Sequence, residues 1–223
     1  MLKNEYKMDT SIIIKQTTEY VKDKMSGDST GHDWQHIVRV RNMAMKLAET
    51  EKADLFIVEM AALLHDLDDY KIAGGSTECL PQATTWLKES GVGEKELQHI
   101  LSIINQLSFK GAGVETPMSS IEGYVVQDAD RLDAIGAIGI ARTFMYGGAK
   151  GRQMYNSNEK VVMHQSFNEY KKSSSSVIGH FYEKLLLLKD RMNTALAKQI
   201  AEERHSFMEH FLKQFYSEQE NNN

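Results

Sequence analysis

Cysteine occurs once and proline twice, and no apolar run approaches the roughly 20 residues of a membrane-spanning helix. With Cys79 alone no disulfide can close within the chain, which fits a reducing compartment. The opening "MLKNEYKMDTSIIIKQ" has only a three-isoleucine apolar run and no cleavage-site pattern, so a cytoplasmic address is expected, with no membrane partner. Basic residues are outnumbered, 26 against 31 acidic, for a net charge of −5, and they form no block. A nucleic-acid polymer is therefore not the expected partner. A small anionic ligand would need local help, from a metal ion or from a few lysines and arginines. What is present is ordinary for a globular protein: 41% hydrophobic and 26% charged residues over 223 positions, enough for a sizeable core.

Strand-like alternation is also scarce, and helical spacing takes its place. The pattern predicts helices over about 10–25, capped by Asp9 or Thr10, and over about 33–50, with Ile37, Val40, Ala44, Leu47 and Ala48 on one stripe. A third, capped by Asp54, ends near His65. Further helices are expected at about 82–89, with Pro81 in the first turn and Gly91 at the stop, then at about 94–106, 119–132 and 135–146. From about 147 to 174 the pattern dissolves into "GGAKGRQMYNSNEK" and "KKSSSS", read as a mobile loop with a role as a lid. Residues of about 177–217 return to helix, with a break at Asn193-Thr194. The expected fold is all-α, one helical-bundle domain over 1–223, the last helices packing back on the first six. The long amphipathic tail could pack internally or pair with a second copy as a homodimer.

One stretch breaks the logic of a buried helix. "AALLHDLDDY" ends an apolar run in His65, Asp66, Asp68 and Asp69. A carboxylate there costs several kcal/mol unless it is paired or bound to a cation. Imidazole and carboxylate together suit a divalent ion, Mn, Ni, Co, Fe, Zn or Mg. Neighbouring helix residues point about 100° apart, so further ligands must come from elsewhere. "GHDWQHIVRV" puts His36 at the start of an apolar stripe, and "VVQDADRLDAIG" ends another apolar helix in Asp128, Asp130 and Asp133.

The order His36, His65-Asp66, Asp130 resembles the H…HD…D signature of the HD-domain metal-dependent phosphohydrolases. "GHDWQHIVRVRNMA", "AALLHDLDD" and "DADRLDAIGAIGIAR" are similar to one bacterial branch of small nucleotide-directed hydrolases, over about 31–142. The resemblance implies that His36, His65, Asp66 and Asp130 ligate one divalent ion inside a helical bundle. Asp130 is favoured because the family's ligand directly precedes Arg, with Asp128 next. Two-metal relatives carry extra histidines between the HD pair and the last aspartate, whereas only His99 lies there in this chain. The implied reaction is hydrolysis of a small nucleotide by metal-activated water, foremost a nucleoside or deoxynucleoside triphosphate cut to monophosphate and pyrophosphate. A 5′-nucleotidase-type phosphatase and a non-catalytic nucleotide sensor are the alternatives.

Other residues take expected roles around that core. His32, one helical turn before His36, is the expected general acid, as in the distantly related cyclic-nucleotide phosphodiesterases. Asp69 is the expected base that orients water, as in related nucleotidases, with Asp68 competing. Lys71, Lys110 and Arg142 are candidates to hold phosphate oxygens. "HDWQH" has the histidine spacing of the H-E-x-x-H zinc proteases, but Asp33 is too short for their glutamate, and that reading leaves "LLHDLDD" unexplained.

Overall fold

The computed structural model describes residues 9–26, 31, 33–68, 80–171 and 175–220; the elements and contacts below are those of these residues. Among them every regular element is helical, ten α-helices and two short 3-10 turns, so the fold is all-α as the sequence predicts. The chain runs α1 (Thr10–Lys24), α2 (Trp34–Glu51), α3 (Leu55–Leu64), α4 (Pro81–Glu89), α5 (Glu94–Leu107), α6 (Ile121–Asp133) and α7 (Gly136–Ala149). It continues through α8 (Phe167–Lys171) and α9 (Val177–Glu183), 3-10 turns at Leu185–Leu187 and Lys189–Arg191, and α10 (Ala195–Glu220). No described helix is long and apolar enough to cross a membrane.

Helix starts follow side-chain chemistry. Asp9, Asp33, Asp54 and Ser120 each accept a backbone N–H two or three residues ahead, at 2.9 to 3.2 Å. Helix α3 is the hub: from Ile57 to Leu64 every residue is buried, and it packs against α1, α2, α5 and α6. This is why its sequence is apolar all round rather than along a stripe. The one charge in that run, Glu59, is bound by Arg41 of α2. Helices α2 and α6 lie along each other on one side of α3, and α10 packs across α6 and α7.

Helix α7 runs through Gly147 to Ala149, three residues beyond the expected end. Gly147 is buried there because a Cβ would stand 2.3 Å from a methyl of Val177, so the missing side chain lets α9 close on α7. The stretch that follows is pinned at several points: Val177 and Ile178 N–H donate to Gln153 and Met154 carbonyls, and His164 is buried. The expected break at Asn193-Thr194 stands immediately before α10.

Candidate metal centre

His65 is the first residue past α3 and Asp66 the next, so the pair sits where the chain leaves the core. His36 comes from the first turn of α2, and Asp130 from the last turn of α6. His36 Nε2 lies 3.2 Å from His65 Nε2, 3.2 Å from Asp66 Oδ2 and 3.6 Å from Asp130 Oδ1. His65 Nε2 lies 3.5 Å from Asp66 Oδ1 and 3.8 Å from Asp130 Oδ1. His36, His65 and Asp66 are buried and form a cluster able to hold a metal ion, while the Asp130 side chain is 35% exposed, at the rim.

The proton positions sharpen this. His65 Nδ1 is 2.9 Å from the Ala62 carbonyl, which can only accept, so Nδ1 carries the hydrogen. His36 Nδ1 is 2.7 Å from Asp133 Oδ2. Asp133 is buried, yet His36, Arg39 and Arg142 hold its carboxyl far below the usual carboxylate range. It is thus an acceptor, and His36 Nδ1 donates. Both Nε2 atoms are left presenting lone pairs to each other among carboxylate oxygens. Acceptors this close repel unless a cation lies among them. Without an ion a proton can take that place: burial opposes a charge on His36, but Asp133 and Asp66 outweigh it and raise the imidazole above its ordinary value. Imidazole nitrogen and carboxylate oxygen in one buried cluster fit a divalent ion.

The aspartates of "DADRLD" have separate destinations. Asp130 faces the cluster. Asp133 stands behind His36, where Arg39 donates to both its oxygens at 2.7 and 3.1 Å and Arg142 Nη1 to Oδ2 at 2.9 Å. Asp128, wholly buried, accepts from the Asn193 and Thr194 backbone N–H and from both their side chains at 2.7 to 2.9 Å, joining α6 to the start of α10. Burial raises its carboxyl, and those four bonds oppose the rise. Asp68 likewise turns from the cluster: its carboxylate accepts from Gln82 and Ala83 N–H at 3.2 and 2.9 Å, capping α4, whose own N-cap Leu80 has no capping side chain.

A cavity of about 90 Å³ opens beside the cluster, lined by His65, Asp66, Asp130, Arg131, Arg142 and Lys184 on its polar side. Phe109, Tyr170, Leu107 and Leu188 form the apolar side. With ~10–15 Å³ needed to seat each water, that is room for several waters or a phosphate group. Arg142 lines it while donating to Gly31 O at 2.8 Å and to Asp133. Arg131 donates to the Arg191 carbonyl and to Thr116 Oγ1. Lys110 is on the adjoining loop, where Ser108 and Phe109, not Lys110, line the cavity. His32, Asp69 and Lys71 lie outside the described residues. Sequence reasoning passed over Lys184 and Tyr170, which reach the cavity from segments with no motif, gave Arg39 no role at the site, and named Asp133 only as one of three acids near a metal.

Comparison with known proteins agrees with this geometry. The HD domain family profile matches residues 33–135, from the cap of α2 to the residue before α7. The protein YpgQ of Bacillus subtilis (strain 168) is 44% identical over 202 residues, 90% of each chain. A crystal structure of YpgQ in complex with ADP superposes with a TM-score of 0.74 at 40% identity, covering 94% of this chain and 96% of that one. An HD-superfamily hydrolase of Bacillus thuringiensis gives 0.70 at 46% identity, covering 95% and 99%. A protein of Lactobacillus plantarum gives 0.85 at 35%, covering 96% and 100%. The chain belongs to the HD-domain phosphohydrolase superfamily and is a metal-dependent phosphohydrolase.

Proposed function

We propose that this enzyme hydrolyses a small nucleotide, foremost a nucleoside or deoxynucleoside triphosphate to the monophosphate and pyrophosphate. One observation carries the reading: a buried His–His–Asp cluster, with Asp130 at its rim, opens onto a phosphate-sized cavity that also receives Arg131, Arg142 and Lys184. The ADP bound to the related YpgQ supports a nucleotide as the ligand class.

His36, His65, Asp66 and Asp130 would hold one divalent ion. That ion supplies Lewis-acid polarisation of a phosphoryl oxygen and a lowered pKa for water. The chain's own residues do the rest. Asp133 keeps the proton on His36 Nδ1, so Nε2 faces the site as a ligand. The Ala62 carbonyl does the same for His65. Arg131 and Arg142 place fixed positive charge along the cavity wall, where charge on the phosphates must be balanced. Their guanidinium groups are held by protein oxygens, so little reorganisation is needed when the phosphates arrive. Asp69 is assigned to orient the attacking water, His32 to protonate the leaving oxygen, and Lys71 and Lys110 to approach the outer phosphates.

The test is a hydrolysis screen with chelator-stripped protein. Mn, Co, Ni, Mg and Zn are supplied in turn with nucleoside mono-, di- and triphosphates, and phosphate and pyrophosphate are detected separately. Metal-dependent pyrophosphate release is expected. Phosphate alone would replace this reading with a phosphatase, and nucleotide binding without turnover under any metal would replace it with a sensor.

A further inference from the structure

A second buried charge cluster adjoins the cavity, and it belongs to none of the HD motifs. Glu183, on the last turn of α9, is 2% exposed. His180 Nδ1 lies 2.7 Å and Ser175 Oγ 2.8 Å from its Oε1, and His164 Nε2 lies 3.1 Å from its Oε2. Burial by itself would raise this carboxyl, but the three donors bring it down to about 2. Burial also pushes His180 down, and its bond to Glu183 opposes that push.

The donors come from the chain before α8, from the entrance to α9 and from α9 itself, so one carboxylate gathers both flanks of Tyr170. The backbone repeats the attachment: Gly113 N–H donates to His164 O at 3.0 Å. Gly111, at φ +126°, has no Cβ to meet that oxygen, which would stand 3.0 Å away.

The next residue, Lys184, ends the helix with φ −141° and ψ −62°. Glu183 turns into the cluster, whereas Lys184 lines the cavity with Asp130 and Arg131, its Nζ 5.4 Å from the Phe109 ring centre. Tyr170 packs edge-on to Phe109 and completes that wall. Arg131 and Arg142 direct guanidinium donors at protein oxygens and contribute fixed charge. An ammonium on a flexible four-carbon stem can follow a phosphate oxygen.

We infer that Lys184 binds a phosphate group of the substrate and that Glu183, clasped by His164, His180 and Ser175, is the positioning residue that aims it. This deepens the nucleotide reading and rests on it.

The test is calorimetric titration of inorganic pyrophosphate and of ADP into the full-length, Mn-loaded protein, with Mn affinity measured separately. Lys184→Met is expected to weaken both anions about tenfold or more with Mn affinity unchanged, and Lys184→Arg to restore part of the loss. Glu183→Gln is expected to weaken both anions about fivefold, and in turnover to raise KM while kcat is held. If Glu183→Gln does not fold, Ser175→Ala carries the same test, with about a threefold loss expected. Anion affinity within twofold of wild type in Lys184→Met would overturn the assignment. A lowered Tm in Glu183→Gln with unchanged anion affinity would reduce Glu183 to a structural role. Wild-type protein that binds pyrophosphate without cleaving any nucleotide would sink the hydrolytic reading alone, and the Lys184→Met contrast would still decide this one. Wild-type protein that binds neither anion would overturn it.

Discussion

Asp133 Oδ2 stands 2.7 Å from His36 Nδ1, on the side of the ring away from the metal cluster, and Arg39 and Arg142 hold the same carboxylate. One side chain thus sets the tautomer of a proposed ligand and ties α2, α6 and α7 together. Carboxylates behind a ligating imidazole typically contribute 10- to 100-fold in metal affinity. Asp133→Asn is expected to lose about that much, because its NH2 faces two guanidinium groups and cannot satisfy them. Mn titration of chelator-stripped protein measures it, and an unchanged dissociation constant would remove Asp133 from the centre.

The cluster of facing acceptors has a thermodynamic signature. A ligand that binds only the folded state stabilises it by about 2.7 kcal/mol at a hundred times its dissociation constant. Mn is therefore expected to raise the Tm of wild-type protein, and EDTA to reverse the rise. His65→Ala should show no metal-dependent shift and no turnover. The substitution also gives up the bond to the Ala62 carbonyl, so a modest fall in metal-free Tm is expected beside it. A persistent metal shift would move the centre away from His65.

Asp128 and Asp130 are two residues apart and are expected to fail differently. Asp128 holds four donors at the start of α10 in full burial, so Asp128→Ala leaves two backbone N–H groups and a hydroxyl without their acceptor. A loss of roughly 3 kcal/mol is expected, with metal affinity retained. Asp130→Ala is expected to keep its stability and lose metal affinity and turnover. Urea denaturation and Mn titration of the pair separate the roles, and the reverse pattern would exchange the assignments.

Those two residues also mark where sequence reading stops. Helix positions, and the placing of His36, His65-Asp66 and the α6 aspartates at the ends of apolar helices, follow from local chemistry: capping side chains, apolar stripes and a costly carboxylate at a buried helix end. The three aspartates on α6 look alike locally, and only the family pattern singles out Asp130. Which of them meets a histidine, an arginine pair or the start of another helix depends on α7 and on α2 and α10, the last two tens of residues distant in the chain. Asp68 shows the same limit, being drawn away to cap α4 because Leu80 cannot. Lys184 carried no signal, although an acid set between histidine and lysine in an apolar segment, "HFYEKLLLL", could have flagged the cluster.

With Asp68 bound to α4, Asp69 is the acid of "HDLDD" assigned to the attacking water. Asp69→Ala is expected to retain Mn affinity and lower kcat by 10²- to 10⁴-fold, the usual contribution of a positioned base. Full activity in that variant would remove Asp69 from the mechanism. Loss of metal instead would make it a ligand.

Glu183 gives the fold an acid-sensitive contact with a defined window. Its carboxyl titrates at about 2 in the folded protein and near 4.3 when unfolded. The folded value is the lower one, so the unfolded chain binds the proton first as pH falls. The stabilisation is complete above the unfolded value, declines as pH drops from about 5 toward 2, and is absent below. That difference corresponds to on the order of 3 kcal/mol. Glu183→Gln cannot ionise, so its deficit against wild type is expected to be largest near neutrality and to shrink through that window. Urea midpoints of the two metal-free proteins from pH 7 to pH 3 provide the comparison. A deficit that stays constant with pH would mean that shape, and not charge, holds His164, Ser175 and His180 around this residue.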